Sequence, residues 1–191
     1  MDNPVKGHAP SGGQTLHALN VLDGILALCP LPGGSGDYAG DMDHLHDWQP
    51  GLVISMTSEV EHVGAGAATL GQDFQAMGCR WIHLPLPDFS GPTKEMLAHW
   101  PEVSALARQA LRGGGRVLVH CKGGCGRSGM VVLRLMVEAG EQPGKALHRL
   151  RGVRACAVET DDQMVWATRN KIRSSKGGAA PKVPSSASMP S

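Results

Sequence analysis

VLVHCKGGCGRSGMVVLRLMVEAG, residues 117–140, reads as three pieces in a row. With Arg116 before it, a compact apolar run ends at His120 and Cys121, and a glycine-rich loop follows. From Ser128 the chain is apolar almost all round until Gly140. The first piece predicts a buried strand over 116–121, and the last a central helix over 128–140 stopped by glycine.

The same alternation extends outward. GILALCPLP (24–32) and GLVISMTS (51–58) are short apolar runs that predict strands, and Ser58–Glu59 is placed to cap a short helix. GAATLGQDFQAM (66–77) has Leu70, Phe74 and Met77 at helical spacing, with Gly78 as the stop. RWIHLPLPDF (80–89) predicts a strand running into a proline-punctuated loop. TKEMLAHWPEVSALARQALRGGG (93–115) opens on a threonine cap, and its apolar positions keep the 3.6 period past Pro101. Two more helices are expected over 143–151 and 160–173. Strands separated by helices predict an α/β fold in three layers, with a central, largely parallel sheet of four to five strands flanked by helices. Ligands of such sheets bind beyond the carboxyl ends of the strands. The proline loop after residue 84 and the glycine loop after residue 120 both leave from such ends, so they share one rim.

Composition narrows the class. The 191 residues suit one domain with an ample core, expected over 16–173. Residues 1–15 are expected to be a flexible N-terminal segment, and 174–191 a disordered low-complexity tail. A net charge of +1 gives no bulk attraction for nucleic acid or an anionic membrane. The N-terminus lacks the pattern of a signal peptide, and no window approaches the roughly 18 apolar residues of a membrane span. Five scattered cysteines form no disulfide framework, so a soluble, cytoplasmic protein with free thiols is expected.

The glycine loop explains its own composition. Glycines 123, 124 and 126 let successive backbone N–H groups turn inward as a cradle for an anion, at the positive end of the following helix. Arg127 can offer a phosphate two parallel N–H donors. Helix N-termini and cationic neighbours favour thiolate over thiol, so Cys121 is expected to face a tetrahedral oxyanion as a nucleophile. Ser128 can donate to the sulfur when it leaves. His120 is expected to hold the loop rather than act as a base. His-Cys-x3-Cys lacks a second ligand pair at zinc spacing, and no Gly-Lys-Ser/Thr closes the loop as a Walker motif.

HCKGGCGRSG resembles the signature of the cysteine-dependent tyrosine and dual-specificity phosphatases, His-Cys-x5-Arg-Ser/Thr-Gly, over roughly residues 20–173. Within that superfamily the chain is most similar to the cyclin-dependent-kinase-associated phosphatase group, through LPG (31–33), the prolines around Asp88, the loop, and LRGVRACAVETDDQ (150–163). The resemblance implies that Cys121 is the nucleophile. It implies that Arg127 and the amides of Lys122, Gly123, Gly124, Cys125 and Gly126 bind phosphate, and that Ser128 assists departure of the sulfur. It further implies Asp88 as general acid and Gln163 as the residue that positions the hydrolytic water. Thr160 and Gln163 also have the spacing of a capping box. The implied activity is hydrolysis of phosphotyrosine, and of phosphoserine or phosphothreonine, on a protein through a phosphocysteine intermediate, with no metal or cofactor. The alternatives are a phosphoinositide or small-molecule phosphomonoesterase with the same chemistry, and a phosphate-binding module without catalysis.

Other features qualify this reading. GDYAGDMDHLHDW (36–48) offers Asp43, His44 and His46 to a metal, but at no ligand spacing, so a polar surface segment is expected. Asp41 and Asp43 are the fallback positions for the acid. Tyr38 is the only tyrosine and has no basic neighbours. Arg149, Arg151 and Arg154 read as a solvated face, with substrate recognition as the alternative. Cys125 is expected to give only its backbone amide to the loop. A disulfide with Cys121 that shields the nucleophile is the alternative.

Overall fold

Alternate residues of the central strands pack into two apolar layers. Leu26, Leu28, Ile54, Val117 and Val119 enter one, and Ala27, Cys29, Val53 and Leu118 enter the other. A strand points successive side chains to opposite faces, so strands buried on both faces read as unbroken apolar runs.

The computed structural model describes residues 14–169. In chain order these form β1 (His17–Val21), β2 (Gly24–Cys29), α1 (Tyr38–Trp48), β3 (Leu52–Ser55), α2 (Glu59–Gly64), α3 (Leu70–Ala76) and β4 (Arg80–His83). There follow α4 (Lys94–Arg112), β5 (Arg116–His120), α5 (Gly126–Glu138), α6 (Pro143–Val153) and α7 (Asp161–Thr168). The sheet order is β1-β2-β5-β3-β4. β5 lies parallel between β2 and β3, β4 extends the parallel set, and β1 pairs antiparallel with β2 at the edge. The expected α/β fold with a largely parallel sheet is present. Helices α4 to α7 supply one apolar layer, α1 and α3 the other. The expected flanking segments fall almost wholly outside the described residues, as does the end of the helix expected to reach 173.

Two elements depart from the sequence reading. β1 is joined to β2 by the tight turn Leu22–Asp23, with Leu22 at φ 54°; the Asp-Gly pair that marks such hairpins is present at Asp23–Gly24, but one position late, so that Gly24 already pairs with Val21. The acidic stretch expected to be a polar surface segment is helix α1, a helix the sequence reading did not assign. Asp37 caps it by accepting from the Gly40 amide at 2.9 Å, and only Asp41, Met42 and Leu45 are buried along it.

α5 is buried along almost its whole length, Arg134 included. Arg134 donates through Nε to Glu138 at 2.8 Å and through Nη1 to the Trp166 carbonyl at 3.1 Å, with its guanidinium over the Trp166 ring. Glu138 also accepts from Trp100 Nε1 at 3.2 Å and from the Ser104 hydroxyl. Burial pushes the Glu138 carboxyl up, but Ser104, Trp100 and Arg134 together hold it below its ordinary range. Removing one partner of such a pair leaves a buried charge uncompensated. Glu138→Ala is therefore expected to cost about 3–5 kcal/mol, read as a lowered urea midpoint at unchanged slope.

Candidate active site

The site is assembled where β5 ends and α5 begins. Cys121, the first residue after β5, is buried, and its Sγ lies 3.2 Å from Ser128 Oγ in the first turn of α5. The glycine loop between them turns back against β2. Gly124 has φ 65°, and a Cβ there would stand 2.6 Å from the carbonyl carbon of Cys29 and from Pro30 N. Only glycine satisfies both the backbone conformation and the close approach. A Cβ on Gly126 would meet Glu159 Oε2 at 2.2 Å, so the loop also lies flush against the segment leading into α7.

Arg127 is 1% exposed. Its Nη2 donates to Glu61 Oε1 at 2.8 Å and its Nη1 to Glu61 Oε2 at 3.1 Å, a two-pronged pair. Nη1 also donates to the Leu86 carbonyl at 2.9 Å, and Nη2 lies 3.1 Å from Asp88 Oδ1. Nε is buried and has no partner among the described residues. Burial opposes the guanidinium charge, yet Glu61, Cys121 and Asp88 hold its pKa above the ordinary value. For Glu61, burial raises the carboxyl while Arg127 and the Ser58 amide pull it down, leaving it at about 2. Glu61 went unassigned in the sequence. The signal available was its place three residues after the Ser58 cap, and the capping box is present.

Asp88 lies inside the turn 87–90, which Ser90 closes by donating both its amide and its hydroxyl to the Pro87 carbonyl. It is partly exposed, on the same rim as Cys121 and against Arg127. Gln163 is fully buried. Its Oε1 accepts from the amides of Glu159 at 2.9 Å and Thr160 at 3.4 Å, which completes the capping box expected from the spacing. Its Nε2 donates to the Ser90 carbonyl at 3.0 Å. The side chain therefore ties the Asp88 loop to the start of α7.

His120 departs from its expected contact. Its Nε2 meets Ser55 Oγ on β3, which accepts from Trp81 Nε1 at 2.7 Å, so the ring braces neighbouring strands rather than the loop. Burial first, then the neighbouring His62, His83 and Arg127, pushes its pKa down to about 3, and the ring is neutral. Asp41 is buried and accepts from the Gly33 amide at 2.9 Å, while Asp43, His44 and His46 are exposed on α1. Tyr38 donates its hydroxyl to Asp73.

The arginine cluster stays largely at the surface, as expected of a solvated face, with Arg149 and Arg151 exposed and Arg154 partly buried, but each side chain has partners. Arg149 pairs with Glu141 at 2.7 Å, Arg151 donates to the carbonyls of Ala157 and Val158, and Arg154 donates to those of Gly123 and Gly124. Cys125 is bonded to Cys156 and not to Cys121, while Cys29, Cys79 and Cys121 are free. This corrects both the expectation of free thiols throughout and the pairing considered for Cys125. A cleft of about 1420 Å³ opens beside the loop, bordered by Leu31, Val60, Glu61, Lys122 and Arg154. Among the described residues no helix is long and apolar enough to cross a membrane.

A buried thiol, a glycine loop, a helix N-terminus and a buried arginine on the rim of a parallel sheet define a cysteine-dependent phosphatase. A family model described as "Tc-R-P: Polymorphic toxin system, DSP-PTPase phosphatase" matches residues 31–141, more than half of the chain, and the chain belongs to this family. Among solved structures it is similar to kinase-associated phosphatase (KAP) with serine at its catalytic-site cysteine. The TM-score is 0.73 at 22% identity, over 82% of this chain and 93% of that one. Tk-PTP in its active form gives 0.60 at 30% identity, over 78% and 91%. PTPMT1 in complex with PI(5)P gives 0.62 at 20% identity, over 79% and 92%. A search of curated protein sequences finds no match.

The titrations carry a testable consequence. His120 has a folded pKa of about 3 against an ordinary 6.5, so above 6.5 it is neutral in both states and its contribution to stability is complete. As pH falls below 6.5 the unfolded chain takes a proton that the folded chain refuses, and stability drops by up to about 1.4 kcal/mol per pH unit. Glu61 adds to the loss from 4.5 down towards 2. Urea unfolding followed from pH 7.5 to 4.5 is expected to show stability decreasing from near 6.5, with a shallower decline in His120→Asn.

Proposed function

We propose that the chain removes phosphate from phosphorylated protein side chains through a phosphocysteine intermediate, with Cys121 as the nucleophile. The observation that carries this reading is the meeting of Cys121 Sγ, Ser128 Oγ, Arg127 and Asp88 on one rim. The Cys121 thiolate attacks phosphorus, an S–P bond forms and the P–O bond to the substrate breaks. Asp88 gives its proton to the departing oxygen. Water then attacks phosphorus, Asp88 takes a proton from it, and the S–P bond breaks as Ser128 donates to the sulfur. The amides of residues 122–127 and the unpartnered Arg127 Nε face the phosphate oxygens, and Glu61 positions Arg127 from behind. Gln163 has one Nε2 hydrogen beyond its bond to Ser90 with which to orient the water. His120 acts through the strands and not as a base. The steps draw only on the chain's own groups and water.

Phosphotyrosine is the expected substrate, and phosphoserine or phosphothreonine are expected to be accepted as well. A second reading, the same chemistry on a phosphoinositide, is favoured by Lys122, exposed at the edge of the cleft. A panel of phosphopeptides and phosphoinositides decides between them, and turnover confined to lipids would overturn the protein assignment. Cys121→Ser is expected to abolish hydrolysis of p-nitrophenyl phosphate. Asp88→Ala is expected to lower kcat by about 10²- to 10⁴-fold for leaving groups that need protonation, and far less for p-nitrophenolate. An equal loss for both leaving groups would move the acid to another residue.

A further inference from the structure

A loop that aims its amides at an anion must aim its carbonyls away, and buried carbonyls require donors. From Lys122 to Cys125 each carbonyl has one. Leu31 N donates to Lys122 at 3.2 Å, Arg154 Nη2 to Gly123 at 2.8 Å and Arg154 Nε to Gly124 at 3.0 Å. Cys125 O accepts from Gly129 N at 2.9 Å and Val158 N at 3.4 Å. The segment from Arg154 to Val158 thus supplies most of the outer support. It is bonded to the loop a second time, by the Cys125–Cys156 disulfide. Its own bend is held as well. Val158 sits at φ 65°, an unfavourable conformation for a β-branched residue, with Arg151 donating to the carbonyls of Ala157 and Val158.

We propose that Arg154 is a positioning residue for the phosphate-binding loop, and that the Cys125–Cys156 disulfide locks Arg154 against that loop, so that reduction by a dithiol weakens phosphate binding while leaving Cys121 intact. The inference rests on reading residues 121–127 as the phosphate site. Arg154 meets the loop through the carbonyls of Gly123 and Gly124, and so acts through the backbone. Its Nε and Nη2 donors, held at a fixed spacing by the planar guanidinium, match two successive carbonyls.

The bond is placed for exchange. Cys156 is exposed and Cys125 half-buried, so the disulfide lies at the surface. One thiolate of a dithiol attacks Cys156 Sγ, the S–S bond breaks, and the electron pair leaves on Cys125 Sγ. Arg154 Nη2, 3.2 Å from that sulfur, stabilises the departing thiolate. The second thiol of the reductant then displaces Cys156 from the mixed disulfide. The protein gains two thiols and the reductant closes into its own disulfide. With the covalent tie gone, the 154–158 segment is held by hydrogen bonds alone.

The test uses the whole chain under anaerobic conditions, prepared oxidised and after treatment with dithiothreitol that is then removed. Thiol titration in denaturant identifies the forms: Cys29, Cys79 and Cys121 in the oxidised protein, and all five cysteines in the reduced one. Binding of inorganic phosphate is measured by calorimetry, and hydrolysis of p-nitrophenyl phosphate in parallel. Reduction is expected to raise the phosphate Kd about three- to tenfold, the effect of losing on the order of one hydrogen bond. KM is expected to rise in step, with kcat changing less than twofold. Cys156→Ser is expected to show the reduced value with or without dithiothreitol. Oxidised Arg154→Ala is expected to bind phosphate as weakly as the reduced wild type, with reduction adding less than twofold. Equal phosphate affinity in the oxidised and reduced wild type would overturn the proposal, as would an oxidised Arg154→Ala that binds like the wild type. Absence of turnover in both forms, with the shift in phosphate affinity intact, would remove the phosphatase reading and leave the brace standing.

Discussion

The arrangement of the rim follows from one constraint, the burial of a guanidinium. Arg127 stands 1% exposed beside the thiol, and a buried charge is tolerated only when it is paired and its donors are met. Glu61 meets two of those donors, which fixes α2 over the site. The carbonyl of Leu86 and the carboxylate of Asp88 meet others, which brings in the loop after β4. One cation thus draws a helix that follows β3 and a loop that follows β4 onto the helix that follows β5. The donor left over, Nε, is the one through which an incoming anion would complete the set.

Much of this was legible in the sequence because the informative features are local. The unbroken apolar runs of β2, β3 and β5 announce strands buried on both faces, and the 3.6 period of α4 survives Pro101. The loop announces itself by glycine content and by what stands at its two ends. The spacing of Thr160 and Gln163 gives the capping box. What stayed hidden depends on partners distant in the chain. Glu61 reads as a cap residue until α2 is folded onto Arg127. Cys156 reads as one odd cysteine until the turn after α6 reaches the loop. The arginines of 149–154 lie largely at the surface as their pattern suggests, but their carbonyl acceptors leave no mark in a sequence. β1 and α1 were missed for local reasons: the Asp23-Gly24 turn signal stands one position past the Leu22–Asp23 loop, and the helix has a buried face only a few residues wide.

The polar contacts of the rim divide between two tasks. Glu61 holds the arginine and Arg154 holds the backbone of the glycine loop, the cradle proposed for the anion. Placing positive charge directly at the anion raises affinity for any anion. Holding the amides in place confers selectivity for an oxyanion of the right size, because a cradle of fixed N–H groups discriminates by geometry. The near-zero net charge of the chain agrees with this division. Attraction is concentrated at one buried cation and one loop, and the surface contributes little.

The Asp88 turn is tied to the start of α7, beside the glycine loop, through Gln163. Its amide carries three contacts at once: the cap of α7 through Oε1, the Ser90 carbonyl through Nε2, and close packing against Gly126. A Cβ at 126 would stand 3.1 Å from both amide atoms of Gln163 and 2.2 Å from Glu159 Oε2, so the Glu159 carboxylate would have to swing away and the Gln163 amide would have to give by a few tenths of an ångström. The glycine at 126 is therefore favoured by its neighbours rather than by its own backbone, whereas Gly124 is required by both its φ and the strand beneath it. Two glycines in one loop thus answer to different parts of the fold. One lets the loop lie on the sheet, and the other lets α7 and the Asp88 turn close over it.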